Sequence, residues 1–462
     1  MTVGFTEKPG SASPEEMSTT SEVGFGPKTA RRIFIVLWIL LLGFELWYVP
    51  HLDGRLNYLG NPHAEADTVR SAEAYMNQGL WAHHGLPRML YGNRFPKDGT
   101  VKDHLTAEGG VVAEFRQGFP PEMADRNQWI TTHCPPGADL FNGVQAKSFG
   151  IDPVWKLRIF PTAVGLIALA FLFQTVTKLW GVERGALISV LVAILPMVPL
   201  WLPTLHYEGY ALALVLIQTS FVLRRLWLRE STGPVFVLVL FLIGFFQGWL
   251  SWDHFFVVSL LAVPWWLLRR ADGARPNLLA LFWMTAVPAA GFTLAHVLHL
   301  CMAVGDLGSW QAALGEFHRT GMERGGMAGG TSRLKYTGKA VYLYIRWCLY
   351  PTNRMFGPIL AGVAALAAVA AIFRRTELSL QPWDRQKRVL QMAWPGQHSA
   401  SPALVAALGV STLWLFVMPQ HVFGNSELTV RHLETFYLCM VVIVVRSFHL
   451  VLCGPQGSAC KN

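Results

Sequence analysis

Acids, imidazoles and guanidiniums gather in a few windows of an otherwise apolar chain. His63-Ala-Glu65-Ala-Asp67 is followed by Arg70, Glu73, His83 and His84, and His133 stands within Thr132-His133-Cys134-Pro135-Pro136-Gly137. His206 and Glu208 flank Tyr207, and Asp253 and His254 are adjacent after Ser251-Trp252. Glu316, His318, Arg319, Glu323, Arg324, Arg333 and Lys335 form a later group, and Glu427, Arg431, His432 and Glu434 close the series. A carboxylate can take the proton of an acceptor hydroxyl that lies within hydrogen-bond reach. An arginine can hold a phosphate whose negative charge grows as a bond to it breaks, and its planar fork suits phosphate oxygens better than a lysine does. The same acids and histidines offer ligands to a divalent metal, although no spacing fixes one. A loop histidine or aspartate is more often solvated than catalytic. His206, Glu208, Asp253 and His254 therefore carry the most weight, because their very short connections hold them at membrane depth, where such groups are costly unless they face a cavity or a partner.

The elements that must position these groups follow from composition. Of the 462 residues, 52% are hydrophobic and 15% charged, against roughly 25% charged in an ordinary soluble domain. The apolar residues fall in long runs, as membrane spans require. A soluble enzyme, a secreted disulfide scaffold and a disordered tail are excluded as classes. Residues 1–30 are polar and read as a disordered cytoplasmic tail. Arg31 and Arg32 then open the apolar run Ile33–Val49, which lacks a small-x-small cleavage site and reads as a retained anchor. Further runs lie near 157–179, 186–203, 208–226, 234–250, 254–268, 278–301, 357–373, 403–420 and 434–452. The expected fold is an all-α polytopic membrane protein with about ten transmembrane helices of ~20 residues each. The membrane-embedded domain spans 31–452, and 453–462 forms a cytoplasmic tail.

Orientation follows from the basic residues. Lys178 and Arg184; Arg224, Arg225 and Arg229; Arg269, Arg270 and Arg275; and Arg374, Arg375, Arg385, Lys387 and Arg388 all fall in loops on the side of Arg31 and Arg32. Arg446 joins them, so both termini are expected in the cytoplasm. The two long loops, 51–156 and 302–356, then face outward with all the short acidic windows. The net charge of +9 is thereby largely accounted for without nucleic acid. Glu45, high in the first span, belongs to the outward set. Trp47-Tyr48, Trp201 and Trp265-Trp266 are expected in an interfacial aromatic belt. Gly325-Gly-Met-Ala-Gly-Gly330 reads equally as a mobile lid or a plain linker. Six cysteines without a CxxC pair argue against a zinc or redox motif, while Cys134 and Cys348, both outward, are free to pair in an oxidising compartment. The outward loops lack an Asn-x-Ser/Thr acceptor, which favours a bacterial inner membrane.

Three stretches resemble the glycosyltransferase C superfamily of membrane enzymes, in the branch of protein O-mannosyltransferases and the lipid A aminoarabinose transferase. The first is the acidic opening of the long outer loop, Glu65-Ala-Asp67-Thr-Val-Arg70-Ser-Ala-Glu-Ala-Tyr75-Met-Asn-Gln-Gly79-Leu-Trp81. The second is Thr132-His133-Cys134-Pro135-Pro136-Gly137 followed by Lys156-Leu-Arg158-Ile-Phe-Pro161, and the third runs from Glu183 through Pro196 to Tyr210-Ala-Leu-Ala-Leu. The family joins its acidic pair directly, whereas Ala66 separates Glu65 from Asp67, and Glu208 stands where an Asp is usual. The resemblance implies transfer of a sugar from a polyprenyl-phosphate donor to a glycan, lipid or protein acceptor at the periplasmic face. Asp67 would be the base, with Glu65 second. Arg431 would hold the phosphate with His432, Arg333 and Lys335 being alternatives. His206, Glu208, Asp253, His254 and His133 would position the acceptor or the base. Two rival readings stand beside this one: a transporter or flippase using the intramembrane acids, and a non-catalytic subunit of a membrane glycan assembly.

Overall fold

The computed structural model describes residues 27–52, 62–88, 134–195, 197–228, 233–325, 335, 337–342, 400–419 and 432–453. Among these the chain is helical, with no strand. In chain order the helices are α1 (Pro27–His51), α2 (Pro62–Gln78), α3 (Gly137–Phe149), α4 (Trp155–Trp180), α5 (Val182–Ala193), α6 (Met197–Trp201) and α7 (Tyr207–Leu223). They continue as α8 (Pro234–Leu250), α9 (Phe255–Leu260), α10 (Ala262–Ala271), α11 (Leu278–Leu307), α12 (Trp310–Arg324), α13 (Ser401–Val417) and α14 (Glu434–Cys453). Among the described residues, four stretches are long and apolar enough to cross a membrane: Lys28–His51, Trp155–Trp180, Tyr207–Leu228 and Leu278–Leu307. Pro234–Leu250 and Ser401–Val417 are shorter apolar helices. The expected span at 357–373 lies outside the described residues, as do most of the tail 1–30 and the tail 453–462. The first helix begins at Pro27, a few residues before the boundary expected from composition.

Two expected spans are broken. The run 186–203 divides into α5 and α6, because Pro196 cannot donate the amide that would carry a helix past Leu195. The run 254–268 divides into α9 and α10 around Leu261; Pro264 lacks the N–H that would bond back to the Leu260 carbonyl. Elsewhere the local signals act as expected. Asn277 caps α11 by accepting from the Leu279 amide at 2.8 Å, Pro234 stands at the start of α8, and Gly150, Gly181 and Gly308 end helices with φ near +80°.

The core joins α1, α4–α7, α10, α11, α13 and α14 around buried Leu, Val, Ala and Trp side chains. The closest crossing is α8 on α11: a Cβ on Gly291 would lie 2.1 Å from the Phe241 carbonyl oxygen, and one on Gly244 would lie 2.0 Å from that of Pro288. Backbones in van der Waals contact through small residues are the usual solution where lipid removes the hydrophobic drive between helices. The outer faces keep Ile39, Leu40, Leu46, Ile167, Val235 and Leu278 exposed, an apolar surface suited to lipid. Trp47 is exposed, but Trp201, Trp265 and Trp266 are buried in the core. The aromatic belt expected of those three is thus corrected: α10 turns its indoles inward, against α13 and α11.

Within the long loop 51–156, α2 and α3 pack against each other. Gly143 lets the Tyr75 ring sit on α3, and Gly137 brings the start of α3 against the Trp249 carbonyl at the end of α8. The helix pair is therefore seated on the same end of the bundle where α4, α7 and α9 begin.

Candidate functional site

The acidic pair of α2 divides between two roles. Glu65 and Asp67 lie two apart on a helix and so face differently. Glu65 is fully buried against Arg158, the fourth residue of α4, with Nη1–Oε1 2.8 Å and Nη2–Oε2 3.1 Å. Arg158 also donates to the Pro203 carbonyl at 2.8 Å, and the Leu205 amide donates to Glu65 Oε1 at 2.9 Å. Asn142 of α3 donates to the Leu205 carbonyl at 2.8 Å, and Gln145 and Tyr210 complete its side-chain bonds. Three backbone groups of the loop 203–205 are thereby fixed from α2, α3 and α4. Both oxygens of Glu65, expected as an alternative base, are engaged by Arg158 and the Leu205 amide. Asp67 is 22% exposed and accepts from Arg70 Nη1 at 3.2 Å.

The anchored loop delivers His206 to the mouth of the bundle. His206 Nδ1 and Glu208 Oε2 are 2.7 Å apart, with the imidazole 18% exposed and the carboxylate 1%. The Tyr207 ring stacks 4.1 Å from His206, and its hydroxyl donates to Asp253 Oδ2 at 3.2 Å. Tyr207 also meets the edge of His254, whose Nδ1 is 3.1 Å from Gln247 Oε1 and whose ring is 5.2 Å from that of His432. His206, Glu208, Asp253, His254 and His432 thus form one connected group, drawn from α7, the α8–α9 turn and the start of α14. Two short connections and a span end meet here because each follows or precedes a helix whose packing leaves no other direction.

Several partners escaped the sequence reading. Arg158 was quoted only within a span opening, yet an arginine at the head of an apolar run needs a buried acid. Asp139, in the first turn of α3, is buried beside Ser71, Thr68 and His206, and burial pushes its carboxyl up to about 6 against the lowering effects of His206 and the Ser71, backbone and Thr68 hydrogen bonds. Burial also raises the Tyr75 hydroxyl, which donates to the Gly85 carbonyl at 2.7 Å. His296 and His299, hidden inside an apolar span, meet Trp252 with ring centroids 4.8 and 6.2 Å away, the first tilted and the second edge-on. Glu45 is buried in α1, its oxygens without a hydrogen-bond partner among the described residues. His83 and His84 instead meet the end of α11, with His83 3.8 Å from Asp306.

His133, Arg333 and Arg431 lie outside the described residues, as do Cys348 and most of the glycine stretch 325–330. Lys335 is exposed, and Cys134 is half-buried. Among the described residues, no three His, Cys, Asp or Glu side chains are placed to hold one metal ion.

No family model matches the chain, and no curated protein matches it. Among solved structures it is similar to the crystal structure of ArnT from Cupriavidus metallidurans in the apo state, with 13% sequence identity and a TM-score of 0.33. The alignment covers 93% of this chain and 78% of that one. A likeness of that degree leaves the function to be argued from this chain's own residues.

Proposed function

We propose that the chain is a membrane glycosyltransferase that moves a sugar from a polyprenyl-phosphate donor to an acceptor hydroxyl at the carboxylate-rich end of the bundle. The orientation of its basic loops makes that end non-cytoplasmic, in a bacterial inner membrane with the site facing the periplasm. The acceptor is a glycan, lipid or protein. The observation that carries the reading is the loop 203–206: a buried ion pair and Asn142 fix its backbone, so that His206, backed by Glu208, stands at the mouth beside the helix pair that holds Asp67. Such rigidity is what a site needs to orient one hydroxyl, and a solvated polar loop has no use for it.

In this reading the acceptor oxygen attacks the anomeric carbon from the face opposite the phosphate. The carbon–oxygen bond to phosphate breaks, its electron pair leaves on the polyprenyl phosphate, and the anomeric configuration inverts. Asp67, paired with Arg70, takes the hydroxyl proton. His206 and Glu208 orient the acceptor, with Asp253, His254 and His133 shaping the rest of the mouth. Arg431 with His432 receives the growing phosphate charge, and Arg333 and Lys335 are further cations from the second long loop. The test is release of polyprenyl phosphate by the purified full chain in nanodiscs, supplied with a panel of polyprenyl-phosphate sugars and envelope acceptors. Asp67→Asn should abolish release while the protein stays folded by thermal unfolding. Full turnover in that variant removes Asp67 from the chemistry. Passage of a lipid-linked substrate across vesicles with no sugar transferred favours the transporter reading, and inactivity with every donor favours a non-catalytic subunit.

A further inference from the structure

The opposite end of the bundle carries a separate feature. A cavity of about 410 Å³ opens between the end of α7, the end of α10 and the start of α11, lined by Arg225, Leu226, Arg269, Ala274, Arg275, Pro276, Asn277 and Ala280. Arg225 lies 17 residues after Glu208 along one nearly continuous helix, roughly 26 Å away at 1.5 Å per residue, so the cavity is no part of the site above.

Its chemistry is that of an anion receptor. Asp272 is shared by Arg269 at 3.9 Å, Arg446 and the Trp227 indole N–H at 3.1 Å. One carboxylate thus answers several guanidiniums, and Arg275, exposed on the rim, makes no ion pair among the described residues. Arg269 is further held over the Trp227 ring at 5.5 Å, which fixes its fork in place. Asn277, in the lining, spends its carbonyl oxygen capping the Leu279 amide, which leaves its NH₂ group as a donor. The positive end of the 30-residue α11 converges on the same space. Leu278, Leu279 and Phe282, just beyond the rim, are exposed and apolar.

We propose that this cavity binds a phosphate group, and that the group is the headgroup of an anionic phospholipid in the adjoining leaflet. Basic pockets between membrane helices take such headgroups, planar guanidiniums bind phosphate oxygens in pairs, and the exposed Leu278, Leu279 and Phe282 give the acyl chains a surface to lie on. A soluble phosphate needs no such surface.

The full-length protein, purified in zwitterionic detergent, is placed in nanodiscs of phosphatidylcholine with increasing phosphatidylglycerol, and retained lipid is counted by native mass spectrometry. A parallel arm titrates pyrophosphate and reads the thermal unfolding temperature. Saturable retention of phosphatidylglycerol over phosphatidylcholine is expected. Arg275→Gln should weaken it about fivefold and Arg225→Gln with Arg275→Gln about 25-fold, since each arginine near a charged leaflet contributes a similar increment. Lys178→Gln, which removes an exposed charge at the same end but outside the cavity, should leave it unchanged. Equal loss in Lys178→Gln and Arg275→Gln overturns the site in favour of diffuse surface charge. Pyrophosphate binding that depends on Arg275, without phosphatidylglycerol retention, overturns the lipid assignment, and absence of both overturns the phosphate site.

Discussion

Substituting Arg158 by methionine tests the anchor beneath His206. Arg158 and Glu65 are fully buried and joined by two hydrogen bonds of 2.8 and 3.1 Å. Methionine keeps most of the side-chain volume but leaves the Glu65 carboxylate buried without its cation and the Pro203 carbonyl without its donor. Breaking one side of a buried ion pair costs about 3–5 kcal/mol. In Glu65→Gln with Arg158→Met, the buried charge is gone and the Gln carbonyl oxygen still accepts from the Leu205 amide. The Pro203 carbonyl and the new side-chain NH₂ have then lost the Arg158 guanidinium between them and are left to meet each other, a loss of about 1–3 kcal/mol. The double variant should therefore be more stable than Arg158→Met alone by roughly 2 kcal/mol. Equilibrium unfolding in mixed micelles, followed by tryptophan fluorescence, measures all four corners of the cycle. Additive losses, or an Arg158→Met variant as stable as the parent, would refute the claim that this pair holds the loop.

Asp139→Asn makes a pH-dependent case. The folded carboxyl titrates near 6 because it is buried, above its unfolded value, so between those two values the folded state binds the extra proton and stability falls as pH rises. The native chain should therefore lose up to about 3 kcal/mol from this group between pH 4 and pH 7. The asparagine variant should unfold at a higher temperature than the parent at pH 7.5 and at the same temperature near pH 4; a constant difference across pH contradicts the assignment. Glu208→Gln, which leaves His206 without its buried carboxylate partner, should lower turnover about 100-fold with little change in KM, as steady-state kinetics would show; an unaltered kcat denies it an orienting role. Gly291→Ala should fold poorly, since the new Cβ meets the Phe241 carbonyl at 2.1 Å, whereas Gly43→Ala, with open space around it, should be neutral. Size-exclusion profiles of the two variants compare them directly, and equal behaviour would show that α8 and α11 can part without cost.

Membrane character and the positions of most helices were legible in the sequence, because both depend on local quantities: the length of an apolar run, the charge of the loop that follows it and the capping residue at its end. Asn277 at the head of α11 and the glycines at 150, 181 and 308 acted as their local chemistry requires. Two runs read as single spans were broken at prolines, a local signal outweighed by mean hydropathy. That His206, Glu208, Asp253 and His254 would stay close to the bundle was legible for a related reason, since a connection of a few residues cannot carry its polar groups far from it.

What each polar group touches was decided by tertiary packing. Glu65 and Asp67 are near neighbours in the chain and look equivalent there. Only the seating of α2 and α3 against α4 sends one into a dry interface with Arg158 and leaves the other half-open beside Arg70. Asp139 likewise reads as an ordinary helix-start acid until Ser71, Thr68 and His206 close around it. Trp265 and Trp266 have the composition of interfacial anchors and became core residues when α10 turned against α13. Burial of a charge or an indole is fixed by which surfaces meet across long sequence separations, a property that no window along the chain contains.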